Sequence, residues 1–270
     1  MRQIKTENGV VVIKSDIIRA RHAFSTRVGG VSKSEHTRGL NLGRGRGDDD
    51  GTVIRNLELF AEATGINAGN IISVKQIHSA KIRYVTEENA GEGFFAPEGE
   101  SCDGYVTDRK GIAPAVRIAD CAPILLCAEE GGVPVLCAAV HAGWRGTAAG
   151  IAAGAVAELV KLGAKPQNIR AAIGPCIGKC CYQVREDFFD AVRNQRGTAY
   201  AEEFITADGE NPGFFRADIA GMNVKILTGA GISRENIDLC DLCTCCISDK
   251  FYSHRRDGEK RGTQLAVISL

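Results

Sequence analysis

Two imidazoles and a thiol are the residues of this sequence best suited to chemistry: His78 in "QIHSA", Cys121 in "ADCAP" and His141 in "VHAGWRG". Each lies within or at the end of a segment that reads as a buried strand, flanked by small or turn-forming residues. A soft thiolate with two imidazoles is a transition-metal donor set. Three protein ligands leave a fourth position for water or substrate, which is how catalytic zinc differs from closed structural zinc. The same residues carry other readings. A strand-end histidine is commonly a hydrogen-bonded core residue, and a lone buried cysteine is commonly an inert thiol. Cys121 with His141 as its base is also a nucleophilic pair for hydrolysis.

The elements that must position these groups come from the hydrophobic pattern. "VVVIKSD" and "RHAFSTR" read as early strands, followed by a long glycine-rich loop, "GGVSKSEHTRGLNLGRGRGDDDG". "TVIRNLELFAEATG" has helical spacing at Val53, Leu57 and Phe60, with Gly65 as its stop. "NIISVKQIHSAKIRYV" alternates like a strand and contains His78. "GIAPAVRIADCAPILLCAEE" gives two apolar runs that meet at Asp120 and Cys121. "VPVLCAAVHAG" is the unbroken run of a strand covered on both faces. Past the Gly-Trp-Arg-Gly turn, "TAAGIAAGAVAELVKLG" reads as a helix capped by Thr147, with Ile151, Ala155 and Leu159 on one face. If the strand before Cys121 runs straight through Asp120, that carboxylate faces away from the thiol. Strands and helices do not alternate strictly and no linker divides the chain, so a single domain over residues 1–270 is expected rather than a doubly wound sheet.

Lys plus Arg equals Asp plus Glu, 33 each, which leaves no global field to recruit nucleic acid or an anionic membrane. No apolar run approaches a membrane span. The opening "MRQIKTENGV" lacks the apolar centre of a secretory signal, so a cytoplasmic location is expected. Eleven cysteines, an odd number with Cys180–Cys181 and Cys245–Cys246 adjacent, read as reduced thiols rather than a disulfide framework. "CIGKCC" and "CDLCTCC" also offer enough thiols for a closed zinc site. However, Cys240-x-x-Cys243 and Cys243-x-Cys245 sit at a strand end rather than on a zinc knuckle, and buried free thiols are the expectation there.

In their order and separation, "QIHSA", "ADCAP", "VHAGWRG" and "IGPCIGKCCYQV" resemble the YfiH family. So do "FSTRVGGVS", "LNLG", "CDGYVTD" and the tail "CTCC…FYSHRRDG…RGTQLAVI". Members were first described as multicopper polyphenol oxidases, or laccase-domain proteins, and later as purine nucleoside phosphorylases with adenosine deaminase activity. The resemblance implies an α+β fold of two stacked mixed β-sheets flanked by helices, in four layers αββα. It implies that His78, Cys121 and His141 are both the metal ligands and the catalytic residues. It also places the glycine-rich loop near the metal, making Arg27 a candidate phosphate or ribose contact and Asn41 a candidate hydrogen-bonder to sugar or base. Arg145, in the turn that opens a helix, is a candidate phosphate clamp, or an exposed residue paired with a surface carboxylate. Trp144 reads as packing. "SHRRDG" departs from the family's usual Ser-Tyr-Arg by having His254.

The implied substrates are purine nucleosides and phosphate, and the implied cofactor is one zinc ion. Copper can also load such a site, because it binds more tightly than zinc. Five histidines fall short of the roughly ten that a multicopper oxidase needs, and Met1 and Met222, the only methionines, lie away from the motifs, so no axial ligand for blue copper is at hand. His22 and His36 are not in ligand-like settings. Glu186, Asp103 and Asp120 are candidate proton carriers. A non-enzymatic, thiol-rich metal-handling protein is the third class to weigh.

Overall fold

The apolar runs of the sequence form the centres of two six-stranded sheets in a computed structural model that describes residues 1–270. The first sheet runs in the order Arg2–Lys5, Val11–Lys14, Arg21–Ser25, Gln264–Ser269, Ala113–Ile118, Ile71–Ile72. The second runs Ile237–Leu239, Ile169–Ile173, Ala122–Glu130, Val133–Ala142, Gly104–Thr107, Ile82–Tyr84. Both are mixed. Antiparallel pairs fill their centres, and parallel pairs attach Ile71–Ile72 to the first sheet and both edge strands to the second.

Strand periodicity explains why the central runs are apolar throughout. Along Ala122–Glu130, Leu125 and Cys127 join Phe24, Val116 and Ile268 in the layer between the sheets. Ile124, Leu126 and Ala128 face the other way, onto Ile151, Ala155 and Leu159 of the Ile151–Lys161 helix and onto Ile226 and Leu227 of the Ile219–Gly229 helix. The outer face of the first sheet is covered by the Asp50–Thr64 helix, whose Val53, Leu57 and Phe60 pack on Val12, Ala23 and Leu265. Asp49 caps that helix by accepting from the Thr52 amide, and Gly65 ends it at φ 69°. The result is the expected α+β class with layers in the order αββα. A small third sheet of Gln183–Val184, Phe215–Ala217 and Ile205–Ala207, absent from the sequence reading, sits beside a satellite cluster around Phe188, Val192 and Met222.

One hairpin sets up the site. Ala122–Glu130 turns directly into Val133–Ala142 through Gly131 and Gly132, both at positive φ, as a two-residue turn of this twist requires. The register pairs Ala122 with Ala142 and Pro123 with His141. Cys121 and His141 therefore emerge at the same end of the same sheet.

Three expectations change. "NIISVKQIHSAKIRYV" is not one strand: Ile71–Ile72 belongs to the first sheet, Ile82–Tyr84 to the second, and His78 lies in the loop that crosses between them. Thr147 is not a helix cap. The expected helix is two, Trp144–Ala149 with Gly143 as its N-cap and Ile151–Lys161, broken at Gly150 with φ 85°; Thr147 lies inside the first, accepting from Asn223 Nδ2 at 3.0 Å. The chain does not run straight through Asp120 either, since Asp120 takes φ 92° between the strands that end at Ile118 and begin at Ala122.

Gly174 follows the Ile169–Ile173 strand at a point where any Cβ would overlap the Phe24 ring. Gly174→Ala should cost about 1–3 kcal/mol, seen as a lower midpoint in thermal unfolding. An unchanged midpoint would mean that the two sheets can move apart there without loss.

Candidate functional site

His78, Cys121 and His141 converge: the sulfur and one nitrogen from each imidazole all lie within 4.8 Å of one another. His78 Nε2 is 4.0 Å from Cys121 Sγ, and the two imidazoles meet edge to face with centroids 4.9 Å apart. His141 is buried, Cys121 is half-buried, and His78 is exposed at the mouth. Gly143 closes the other side. A Cβ there would come to 2.9 Å from the His78 ring, 3.4 Å from Cys121 Sγ and 3.5 Å from the His141 ring. The first glycine of the Gly-Trp-Arg-Gly turn thus leaves the space next to all three donors clear. A donor set of two nitrogens and one sulfur, so spaced and so cleared, fits a tetrahedral transition metal with one position open.

A fourth residue organises the three. The Asp103 carboxylate is fully buried. It accepts from the backbone amides of Ile77, His78 and Ser79 at 3.3, 2.9 and 2.7 Å and from Ser79 Oγ at 2.7 Å. It also accepts from His141 Nδ1 at 2.9 Å. That bond assigns the His141 proton to Nδ1 and turns Nε2 toward the thiol, the arrangement of a metal-ligating histidine. Burial alone would raise the Asp103 carboxyl; the His141 and Ser79 donors outweigh it and bring it down to about 2. Burial likewise opposes ionisation of Cys121 and His141, but each favours the other's charge. The Cys121 thiol falls to about 6, with His78 assisting. His141 rises to about 9, with Asp103 assisting. Without metal the pair is therefore a thiolate beside an imidazolium, and a metal ion would take the place of the proton on His141 Nε2.

Backbone strain is confined to the same place. His78 at φ 57° and Asp120 at φ 92° are the two residues other than glycine with positive φ. Asp103 holds the first. Asp120 is held by its own side chain, which accepts from Thr244 Oγ1 at 2.6 Å, Ser253 Oγ at 3.0 Å and the Arg255 amide at 2.6 Å. Its carbonyl accepts from the Ile177 amide at 2.8 Å.

Two cavities meet at His78 and Cys121. One, of about 350 Å³, is lined by Arg44, Arg46, Lys75, Arg117 and Arg261 against a single carboxylate, Glu98. The Nε atoms of Arg44, Arg117 and Arg261 are buried without a hydrogen-bond partner. Burial, together with the Arg44 and Arg46 charges, holds Arg117 below the usual arginine range, and burial with Arg46 does the same to Arg261. Cations crowded in this way favour an anion among them. The second cavity, of about 270 Å³, is more apolar and contains Trp144, Ile177, Tyr182 and Ile219, with Arg145, Arg255 and His254 toward the opening.

The other expected contacts are placed as follows. Arg145 lines the second cavity, lies over the Trp144 ring at 4.2 Å and makes no ion pair. Trp144 packs on Phe188 at 5.1 Å while also lining that cavity. Arg27 and Asn41 line neither cavity. The Arg27 guanidinium donates to the carbonyls of Arg38 and Ser248 and lies over Tyr252 at 4.5 Å. Asn41 is buried, donates to Gly43 O and Asp48, and accepts from the Gly43 and Thr263 amides. Both tie down the loop that carries Arg44 and Arg46. Glu186 starts the Glu186–Arg196 helix and lines neither cavity. Sequence reading missed the basic lobe and the central place of Asp103, which it had named only as a proton carrier. The one signal for Asp103 was its position in "CDGYVTD".

A family model described as multi-copper polyphenol oxidoreductase laccase matches residues 21–270. A purine nucleoside phosphorylase of Deinococcus radiodurans is 36% identical over 265 residues, 98% of this chain and 95% of that protein. The adenosine deaminase RL5, from an unknown prokaryotic organism, is 31% identical over 248 residues, 91% of this chain and 92% of its own. The crystal structure of the hypothetical protein YfiH from Bacillus licheniformis matches at a TM-score of 0.89 and 31% identity, covering 99% of this chain and 98% of that one. Sequence and fold agree over nearly the whole length: the chain belongs to the YfiH family of laccase-domain proteins.

Proposed function

We propose that this chain is a zinc-dependent purine nucleoside phosphorylase acting on adenosine, inosine and related nucleosides, including methylthioadenosine, with deamination of adenosine as a second activity. One observation carries this reading: a metal-ligand triad stands where a strongly basic lobe meets an apolar, aromatic one. Phosphate needs the first, a purine nucleoside needs the second, and phosphorolysis needs the two to touch. The names of the phosphorylase and deaminase relatives support it.

Phosphorolysis breaks the bond between the ribose anomeric carbon and the purine while phosphate attacks that carbon. Positive charge develops on the ribose, so an anion held alongside lowers the barrier. Arg44, Arg46, Arg117 and Arg261, which line the basic cavity, bind and orient that anion. Trp144, Ile177, Tyr182 and Ile219 take the base and exclude water from one face of the nucleoside. Arg145 and Arg255 stand at the rim, in reach of ribose or of the anion's far side. Zinc held by His78, Cys121 and His141 supplies Lewis acidity at the junction of the lobes. Asp103 keeps the His141 proton on Nδ1 and fixes the His78 loop. Arg27 and Asn41 act one step back, by holding the loop that presents Arg44 and Arg46.

The closeness of Cys121 to His141 also suits a cysteine hydrolase. Against it, all three donors face one cleared space, and a thiolate committed to a metal is poorly available for acylation. Iodoacetamide separates the two: zinc should protect Cys121 from alkylation, whereas a hydrolase nucleophile would react fastest in the active preparation. For a polyphenol oxidase the structure offers one copper-competent triad, and Met222 is buried in the satellite cluster, away from it.

Three outcomes test the reading. Hypoxanthine should form from inosine only with phosphate present, and Cys121→Ala should lower that rate at least 100-fold while far-UV circular dichroism stays unchanged. Full activity in Cys121→Ala, or hypoxanthine formed equally well without phosphate, would end the proposal. Arg261→Ala, which removes a charged hydrogen-bond donor of about 1.5–3 kcal/mol, should raise the KM for phosphate roughly 10- to 100-fold while the KM for inosine changes little. Asp103→Asn should weaken metal binding about 10- to 100-fold, measured by chelator competition. If it binds metal as tightly as the native protein, the carboxylate is not what orients His141.

A further inference from the structure

None of the eleven cysteines is in a disulfide, and four of them form a second cluster on the far side of the Asp120 turn. The sulfurs of Cys180, Cys181, Cys243 and Cys246 all lie within 4.8 Å of one another. Cys246 Sγ is 3.5 Å from Cys180 Sγ and 3.3 Å from Cys181 Sγ. In a tetrahedral tetrathiolate with zinc–sulfur bonds of about 2.3 Å, neighbouring sulfurs stand about 3.8 Å apart. From this cluster we infer a second, closed metal site, a tetrathiolate for zinc, that nothing in the nucleoside chemistry requires.

The local backbone is built for thiolates. Cys243-Thr244-Cys245-Cys246 is a Cys-x-x-Cys turn, closed by the Ile247 amide on the Cys243 carbonyl at 3.2 Å. Cys243 Sγ accepts from the Gly178 amide at 3.2 Å, which ties the two loops together at the sulfur itself. On the other loop, the amides of Cys181 and Tyr182 both bond the Gly178 carbonyl, at 2.9 and 3.0 Å. That single turn brings the adjacent sulfurs of Cys180 and Cys181 to one side. Gly178 leaves room between the loops, because a Cβ there would stand 3.2 Å from Cys180 Sγ and 3.6 Å from Cys243 Sγ.

Cations stand close by as well, although Arg216 is also paired with Asp208 and Arg256 with Asp257. Four thiolates around a divalent cation leave two negative charges. Guanidinium groups bond carbonyls of the cluster from three sides: Arg216 on Cys180 at 2.7 Å, Arg255 on Cys181 at 3.2 Å and Arg256 on Cys245 at 3.0 Å. A disulfide from Cys246 to either neighbour would use two sulfurs and leave Cys243, with its amide donor, unexplained.

The site staples the two loops that grip Asp120. Ile177, just ahead of Gly178, bonds the Asp120 carbonyl, and Thr244, inside the Cys-x-x-Cys turn, bonds its carboxylate. The Cys121 thiolate is the next residue along the chain. Zinc here is structural, with all four positions filled by sulfur, and its absence should loosen the turn that presents Cys121.

Elemental analysis of protein purified without added metal is the test, with Cys246→Ser chosen because that side chain is exposed. Cys246→Ser should lose one zinc equivalent per chain relative to the native protein, and Cys121→Ser should keep that equivalent whether or not the nucleoside site is loaded. In native protein stripped and reloaded with cobalt(II), the intense visible bands of a tetrahedral tetrathiolate should appear. Unchanged zinc in Cys246→Ser, or iron in place of zinc, overturns the assignment. So does a thiol count on denatured native protein that falls two short of eleven. Should Cys246→Ser fail to fold, the cobalt spectrum and the thiol count of the native chain decide, and absence of the tetrathiolate bands is decisive against the site.

Discussion

The Asp103 carboxylate is the interaction on which the end of the molecule that carries His78, Cys121 and His141 depends. It is out of water, yet it is surrounded by donors from two segments: three amides and a hydroxyl of the loop carrying His78, and the ring of His141. A buried carboxylate is costly unless it is this well satisfied. Satisfied, it does two things at once. It stands in for the sheet hydrogen bonds that the 73–81 loop lacks, and it sets the tautomer of an imidazole from another strand. Removing it would leave five donors without a partner, so the loop and the histidine cannot be optimised separately.

Around that hub the fold delivers the three donor side chains by two different means. Cys121 and His141 arrive by register: a two-residue turn joins their strands, and antiparallel pairing brings the start of one beside the end of the other. This is cheap and rigid, since both strands are covered on both faces. His78 arrives by a crossing loop between sheets and takes a positive φ that a histidine rarely adopts. Asp120 takes a similar conformation immediately before Cys121. Each strained residue is bound by side chains from distant segments, Asp103 for one and Thr244 and Ser253 for the other. Strain of this kind persists only where the surroundings over-determine it.

These differences decide what could be read from the sequence. The two central strands, the Asp50–Thr64 helix and the meeting of two runs at Cys121 are legible because local periodicity records burial, whereas the pairing of those strands through Gly131 and Gly132 is not. The His78 loop was misread as a strand because Ile72 and Val74 alternate with polar residues while the loop's amides are satisfied by a carboxylate some 25 positions away. The Thr147 cap failed because Gly143 opens the helix a turn earlier, leaving the hydroxyl to bond Asn223. Arg27 and Asn41 were rightly drawn to the glycine-rich loop, but their bonds hold its backbone. The residues of that loop that face the cavity are Arg44 and Arg46. The cysteine tail was parsed as Cys240-x-x-Cys243, whereas the pair that turns inward is Cys243-x-x-Cys246. Only the second loop, at Cys180 and Cys181, selects it.

The basic lobe was invisible for a related reason, and it also bears most directly on function. Its five cations come from four separate stretches of chain, none remarkable in a sequence of balanced charge. Folding brings them together against their mutual repulsion, which the ion pairs of Arg44 with Asp50 and of Arg46 with Glu259 relieve only in part. A surface arginine could turn into solvent, whereas Arg44 is held by the Phe94 carbonyl and Arg117 by that of Ser73. A protein gains nothing in stability from such an arrangement. An anion entering the lobe would relieve each repulsive pair, and that relief would add to its binding energy. The cost built into the empty lobe is therefore also the measure of its selectivity: a neutral molecule of the same size would relieve none of it.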